Sequence, residues 1–95
     1  PVGCMVELTG GGFAIVAAAN RDDPLRPVVI LLKLKRKLNR SGLAVNPDED
    51  HFIVTLGRWE LVDLGSRDGA EFGRIRRGLD HRKFRIKPDF YLEQV

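Results

Sequence analysis

The groups with which this chain could do chemistry are few: two histidines, one cysteine, and acids and bases spread along its length. His51 and His81 are far apart in the chain, each beside an acid, Asp50 and Asp80. A metal or general-base site needs several further His or Asp groups on the same scaffold, and no close His pair or second cysteine exists to supply a tetrahedral set. Cys4 adjoins an apolar run with no His near it in sequence, so it is expected to be a small buried hydrophobe rather than a nucleophile. Ser41 and Ser66 lie in glycine-containing turns without a nucleophile-elbow pattern. Thr9-Gly10-Gly11-Gly12 runs into Phe13-Ala14-Ile15, not into a helix N-terminus or a Lys-Ser/Thr pair, which makes it a hairpin turn rather than a phosphate loop. The sequence therefore predicts no catalytic group, no metal and no cofactor.

The basic residues are grouped. Lys33, Lys35, Arg36, Lys37 and Arg40 form a run without an acid, and Arg74, Arg76, Arg77, Arg82, Lys83, Arg85 and Lys87 form a second, interrupted only by Asp80. On a strand the first run would project several charges from one face, a geometry that can follow a phosphate backbone or grip a cyclic dinucleotide; the alternative is an ordinary solvated face. Nucleic-acid modules of this size add exposed aromatics for stacking, whereas the five Phe, one Trp and one Tyr are mostly wanted for a small core. Arg36 and Arg40 have the Arg-x-x-x-Arg spacing of PilZ domains, and Asn39-Arg40-Ser41 begins their second motif. Here the two motifs overlap instead of being separated by a strand, and Ala44 stands at the required Gly position, so that match is rejected.

The elements that must position these groups are short. Met5 to Leu8 and Phe13 to Ala19 read as two strands joined by the glycine turn. Asn20-Arg21-Asp22-Asp23-Pro24-Leu25-Arg26-Pro27 is a turn, since two prolines, an Asn and two Asp disfavour helix and central strand alike. Val28 to Lys35 is expected as a strand, its second half alternating Leu32, Lys33, Leu34 and Lys35 across a half-buried sheet. Val28 to Arg40 can also be written as a basic amphipathic helix with Leu31, Leu34 and Leu38 on one side. Arg36 to Asp50 reads as a long hairpin loop or an excursion around a weak strand at Leu43 to Val45, and further strands are expected at His51 to Leu56, Arg58 to Leu64 and Phe72 to Leu79, with a flexible loop at Gly65 to Gly69. Asp80 to Phe84 and Pro88 to Leu92 read as single helical turns, the second with Pro at its first helical position.

The chain has 95 residues, a net charge of +3 and 43% hydrophobic content, which suits one compact domain spanning residues 1–95. No apolar stretch approaches the roughly 20 residues needed to cross a bilayer, and no signal-peptide pattern opens the chain. A single cysteine fits a reducing cytoplasm. The opening Pro1-Val2-Gly3, without an initiator Met, reads as part of a longer protein. The expected fold is mainly β, a small antiparallel β-barrel or rolled sheet of about five to six strands, with short helical turns near the C-terminus.

Pro1-Val2-Gly3, the strand-turn-strand from Val6 to Ala19, and the segment from Asn20 to Val29 together resemble the region that follows the catalytic domain in bacterial HD-GYP-type phosphohydrolases. There a sequence of the form Pro-Val-Gly-Thr-x-Val-x-Leu-Ser-x-Gly leads to Asn-x-x-x-Pro-x-x-Pro-Val-Val; in this chain Asn20, Pro24, Arg26 and Pro27 stand in the matching turn. Leu79-Asp80, Phe84, Ile86, Pro88 and Tyr91-Leu92 resemble the family's closing pattern. The resemblance covers about the first 30 and last 20 residues. It departs at Cys4, where the family often has Thr, at Gly11 and Gly12 in a longer turn, and across Leu32 to Gly57, which does not align. It implies a non-catalytic accessory β domain of a cyclic di-GMP signalling phosphodiesterase, whose partner is the upstream catalytic domain or another protein. The alternative reading is an autonomous SH3-like or PilZ-like module using Lys33, Lys35, Arg36, Lys37 and Arg40 on a nucleotide or nucleic acid.

Overall fold

Apolar residues in the first 32 positions come in short β-prone runs broken by glycine or proline, and each of these runs becomes a strand. In the computed structural model, which describes residues 1–32, 59–84 and 86–95, β1 (Met5–Leu8) and β2 (Phe13–Ala18) form an antiparallel hairpin. Its turn closes through Leu8 N–H to Gly12 O (3.1 Å) and Gly11 N–H to Leu8 O (3.0 Å). Gly11 and Gly12 hold φ values of +87° and +104°, a region open to glycine and strained for other residues. β3 (Val28–Leu32), β4 (Trp59–Asp63) and β5 (Ile75–Leu79) complete a five-stranded sheet in the order β4-β3-β2-β1-β5, each neighbour antiparallel.

Among the described residues the sheet is open, with β4 and β5 as its outer strands, so the rolled-sheet form of the expectation fits and a closed barrel does not. A strand ladder over Val28–Leu32 also decides this stretch against the helical alternative. The strands expected around Leu43 to Val45 and at His51 to Leu56 lie outside the described residues. The last strand begins later than Phe72, because Ala70–Phe72 winds into a 3-10 turn and Gly73 follows at φ +81°. Near the C-terminus a 3-10 turn at His81–Phe84 and the helix α1 (Pro88–Leu92) occupy the two expected positions. Pro88 sits in the first turn of α1, where its missing N–H costs no hydrogen bond. Among the described residues, no helix is long and apolar enough to cross a membrane.

Alternation along the strands gives the sheet two apolar faces. On one, Met5, Ile15, Ile30, Phe13 and Leu32 are covered by Phe84, Ile86 and Tyr91 from the C-terminal segment. Phe84 lies against Phe13 with ring centroids 5.7 Å apart, and Trp59 Nε1 donates to Gln94 Oε1 at 3.2 Å, so this cover reaches as far as β4. On the other face Val6, Leu8, Ala14, Val16, Val29, Leu31 and Val62 pack with Leu64, Phe72 and Ile75.

The connection from β4 to β5 is not the flexible loop expected from Gly65 to Gly69. Asp63 accepts hydrogen bonds from Gly65 N–H through its carboxylate (2.9 Å) and from the Ser66 hydroxyl through its carbonyl (2.6 Å). Ser66 Oγ in turn accepts from Gly69 N–H (3.1 Å). Gly69 is buried, and a Cβ there would collide with the backbone of Asp63. Local hydrogen bonds from Asp and Ser thus tie down a loop that its Gly-Ser composition suggested would be flexible.

Candidate functional site: the arginine edge of the sheet

β1 reads Met-Val-Glu-Leu, and Glu7 falls on the same face as Met5, where an apolar residue would continue the core. Its cross-strand neighbours are Phe13 on β2 and Arg77 on β5. The ladder between β1 and β5 slips at this point: Glu7 pairs with Arg77, but Leu8 pairs with Ile75, leaving Arg76 as an extra residue on β5. Such a bulge bends the strand and re-aims a side chain. Here it brings two consecutive arginines, which in a regular strand would point to opposite faces, onto one carboxylate. Arg77 Nε donates to Glu7 Oε2, and Arg76 Nη1 lies 3.7 Å from Glu7 Oε1. The Glu7 side chain is only 19% exposed against 66% for Arg76, so the acid is sheltered while much of the Arg76 guanidinium faces solvent.

Arg74 flanks this pair. Its backbone N–H donates to Thr9 Oγ1 (3.1 Å) and its carbonyl accepts from Thr9 N–H (2.9 Å), fixing the start of β5 against the hairpin turn. Beyond β5, Arg82 closes onto Asp80 through both Nε (3.0 Å) and Nη2 (3.1 Å). The Arg82 side chain, and then its backbone N–H, hold Asp80 below its ordinary pKa of 3.8, and the same contact raises Arg82. Both groups are exposed, so the pair organises the turn more than it stabilises the fold. His81 points Nδ1 at Ile86 O, 2.9 Å away, and closes the turn that carries Phe84.

Of the second basic run, then, the structure gathers Arg74, Arg76 and Arg77 along one sheet edge, with Arg82 and Lys83 in the turn that follows; Arg85 lies outside the described residues. The first run, Lys33, Lys35, Arg36, Lys37 and Arg40, also lies outside them, as does His51. Cys4 is exposed, not the buried hydrophobe expected: it precedes β1, and its backbone rather than its side chain engages the sheet, the carbonyl accepting from Val16 N–H (2.9 Å).

The turn from Asn20 to Pro27 is a built junction. Asn20 Oδ1 accepts from the N–H groups of Asp22 (3.1 Å) and Asp23 (3.3 Å), while Asn20 Nδ2 donates to Arg26 O (3.2 Å). Arg26 pairs with Asp23 at 3.6 Å. Pro27 O accepts from Leu64 N–H (3.1 Å) and Leu25 O from Ile75 N–H (2.8 Å), so this one turn holds the exit of β4 and the entry of β5. Pro24 and Pro27 fix φ on either side of it.

Sequence reasoning passed over Glu7, although a lone acid inside an apolar strand signals a partner on the same face. It also passed over an open depression of about 390 Å³ beside β4, lined by Glu60, Asp63, Asp68 and Glu71 with Leu61, Val62 and Phe72 among its apolar walls. Among the described residues, no group of three His, Cys, Asp or Glu is placed to hold a metal ion. What the arginine edge can do chemically is bind carboxylate or phosphate oxygens by charge-assisted hydrogen bonds. No protein-family model, curated protein or solved structure matches the chain.

Proposed function

We propose that this chain is a non-catalytic accessory domain of a bacterial, cytoplasmic cyclic di-GMP phosphohydrolase of the HD-GYP type, acting by packing on the catalytic domain or on another protein. The observation that carries the reading is the Asn20 to Pro27 turn. The residues that resemble the family's segment are those that make the junction between β2, β3, β4 and β5, so the likeness lies in what builds the domain. The arginine edge adds a charged surface that the core does not require.

The test is a titration of the isotope-labelled chain with an HD-GYP catalytic domain, followed by amide shifts. A saturable set of shifts on one surface is the expected result; no shift at high protein concentration would overturn the docking role. Turnover of cyclic di-GMP by the purified chain with added divalent metal would overturn its non-catalytic character. The competing reading is a nucleotide- or nucleic-acid-binding module, favoured by the presence of exposed Arg76 beside Arg74. It predicts saturable shifts with cyclic di-GMP or an oligonucleotide at moderate salt.

A further inference from the structure

We infer that the β5 edge is a docking surface for an acidic protein segment, whose carboxylates engage Arg76 and Arg74 while Arg77 stays on Glu7. The inference rests on the accessory-domain reading for the identity of the partner, but not for its chemistry. β5 has no fully buried residue; Ile75 and Leu79 pack partly buried against the two core faces, while Arg76 and Arg77 between them are exposed. From Arg74 to Lys83 the sequence carries five cationic residues, Arg74, Arg76, Arg77, Arg82 and Lys83, and one acid, Asp80, and β1 brings Glu7 alongside Arg77 and Arg76. Arg74 and Lys83 have no ion-pair partner among the described residues, and Arg76 lies 3.7 Å from Glu7, farther than Arg77 does.

Glu7 shows which anion the bulge fits. A carboxylate already lies between the two guanidiniums, and a second one, brought by a partner, would meet the exposed side of Arg76 in the same way. Acids interspersed among the bases suit a mixed-charge protein rim better than a continuous polyphosphate, whose affinity comes from uninterrupted cations. No Phe, Tyr or Trp lies between Arg74 and Lys83 on which a base could stack. Recognition runs through side chains rather than through addition of a strand. The bulge interrupts the ladder, and the Ile75 N–H is already spent on Leu25 O.

The test uses the full chain and two probes, a short glutamate-rich peptide and an HD-GYP catalytic domain, with single-stranded oligothymidine as the competing class. The peptide is expected to shift the amides of residues 74 to 79 and to lose affinity as salt rises. The double variant Arg74→Glu/Arg76→Glu, at exposed positions and with its fold checked by circular dichroism, should weaken peptide binding roughly tenfold or more. Glu7→Gln should strengthen it, because both guanidiniums lose their internal competitor, a gain that a merely structural Glu7 would not give. Unchanged affinity in the charge-reversal variant, shifts confined to another surface, or tighter binding of oligothymidine at matched salt would each overturn the inference. If the catalytic domain binds and the variants leave that binding unchanged, the edge assignment falls and the accessory reading stands. If the peptide behaves as expected and the catalytic domain does not bind, the edge assignment stands and the accessory reading falls.

Discussion

The two outer strands of the sheet, β4 and β5, differ in what they give to the molecule. β4, Trp-Glu-Leu-Val-Asp, sends Val62 into one apolar face and ties Trp59 to the C-terminal segment through Gln94. β5, Ile-Arg-Arg-Gly-Leu, buries no residue fully and carries a bulge with two arginines on one glutamate. Their surroundings are opposite in charge as well, with four carboxylates lining the depression at β4 and two arginines on β5 preceded by Arg74. An outer strand can thus be kept for packing or for its exposed charge. The first kind should be sensitive to volume and the second to electrostatics.

Substitutions can break this contrast. The largest effect is expected from Gly69→Ala in the loop that leaves β4: the added Cβ meets the Asp63 backbone, which cannot give way without opening the loop. A loss of roughly 1–3 kcal/mol should appear in urea unfolding, and an unchanged midpoint would show that the loop does not hold β4. Val62→Ala removes two buried methyl groups and should cost about 1.5 kcal/mol by the same measurement. Were it neutral, β4 would join β5 as a strand kept for its surface.

A smaller effect, of known sign, comes from the cover beneath the C-terminal helix. Burial raises the pKa of Tyr91 above its ordinary value of 10.0, so the unfolded chain loses the phenolic proton first. The stability this contributes is complete below pH 10 and is lost as pH rises through the folded-state pKa. Tyr91 is the single tyrosine, so tyrosinate absorbance reports it directly. The expected midpoint lies above 10, and Tyr91→Phe should abolish the alkaline loss. Smallest is Arg77→Ala on β5, a partly exposed ion pair whose removal should cost about 0.5–1 kcal/mol at low salt and less at high salt. A loss as large as that of Val62→Ala, indifferent to salt, would mean that β5 is a packing strand after all.

Much of this was legible in the residues. Short apolar runs, the Gly10-Gly11-Gly12 turn, the prolines and Asn20 predict strands and reversals where they occur, because φ restriction and side-chain alternation act over a few neighbouring residues. The C-terminal turns were equally legible, from Asp80 and Pro88. Errors arose where a specific hydrogen bond, a single glycine or the exact end of a strand overrode what composition suggested. Gly65 to Gly69 looked flexible, but Asp63 and Ser66 capture its N–H groups. Cys4 looked buried from its apolar neighbours, but it stands just outside β1. Phe72 looked like the start of a strand, but Gly73 delays that strand to Ile75.

By itself, then, the sequence determined a mainly β chain with turns at known places and two basic runs, since composition and short-range sterics are written into each stretch separately. Only the tertiary structure decided which base meets which acid. Glu7 and Arg77 are seventy positions apart, and the bulge that turns Arg76 toward the same carboxylate exists only in the register between β1 and β5. Register is a property of two strands together, set by how both fill a shared face, and neither strand carries it alone.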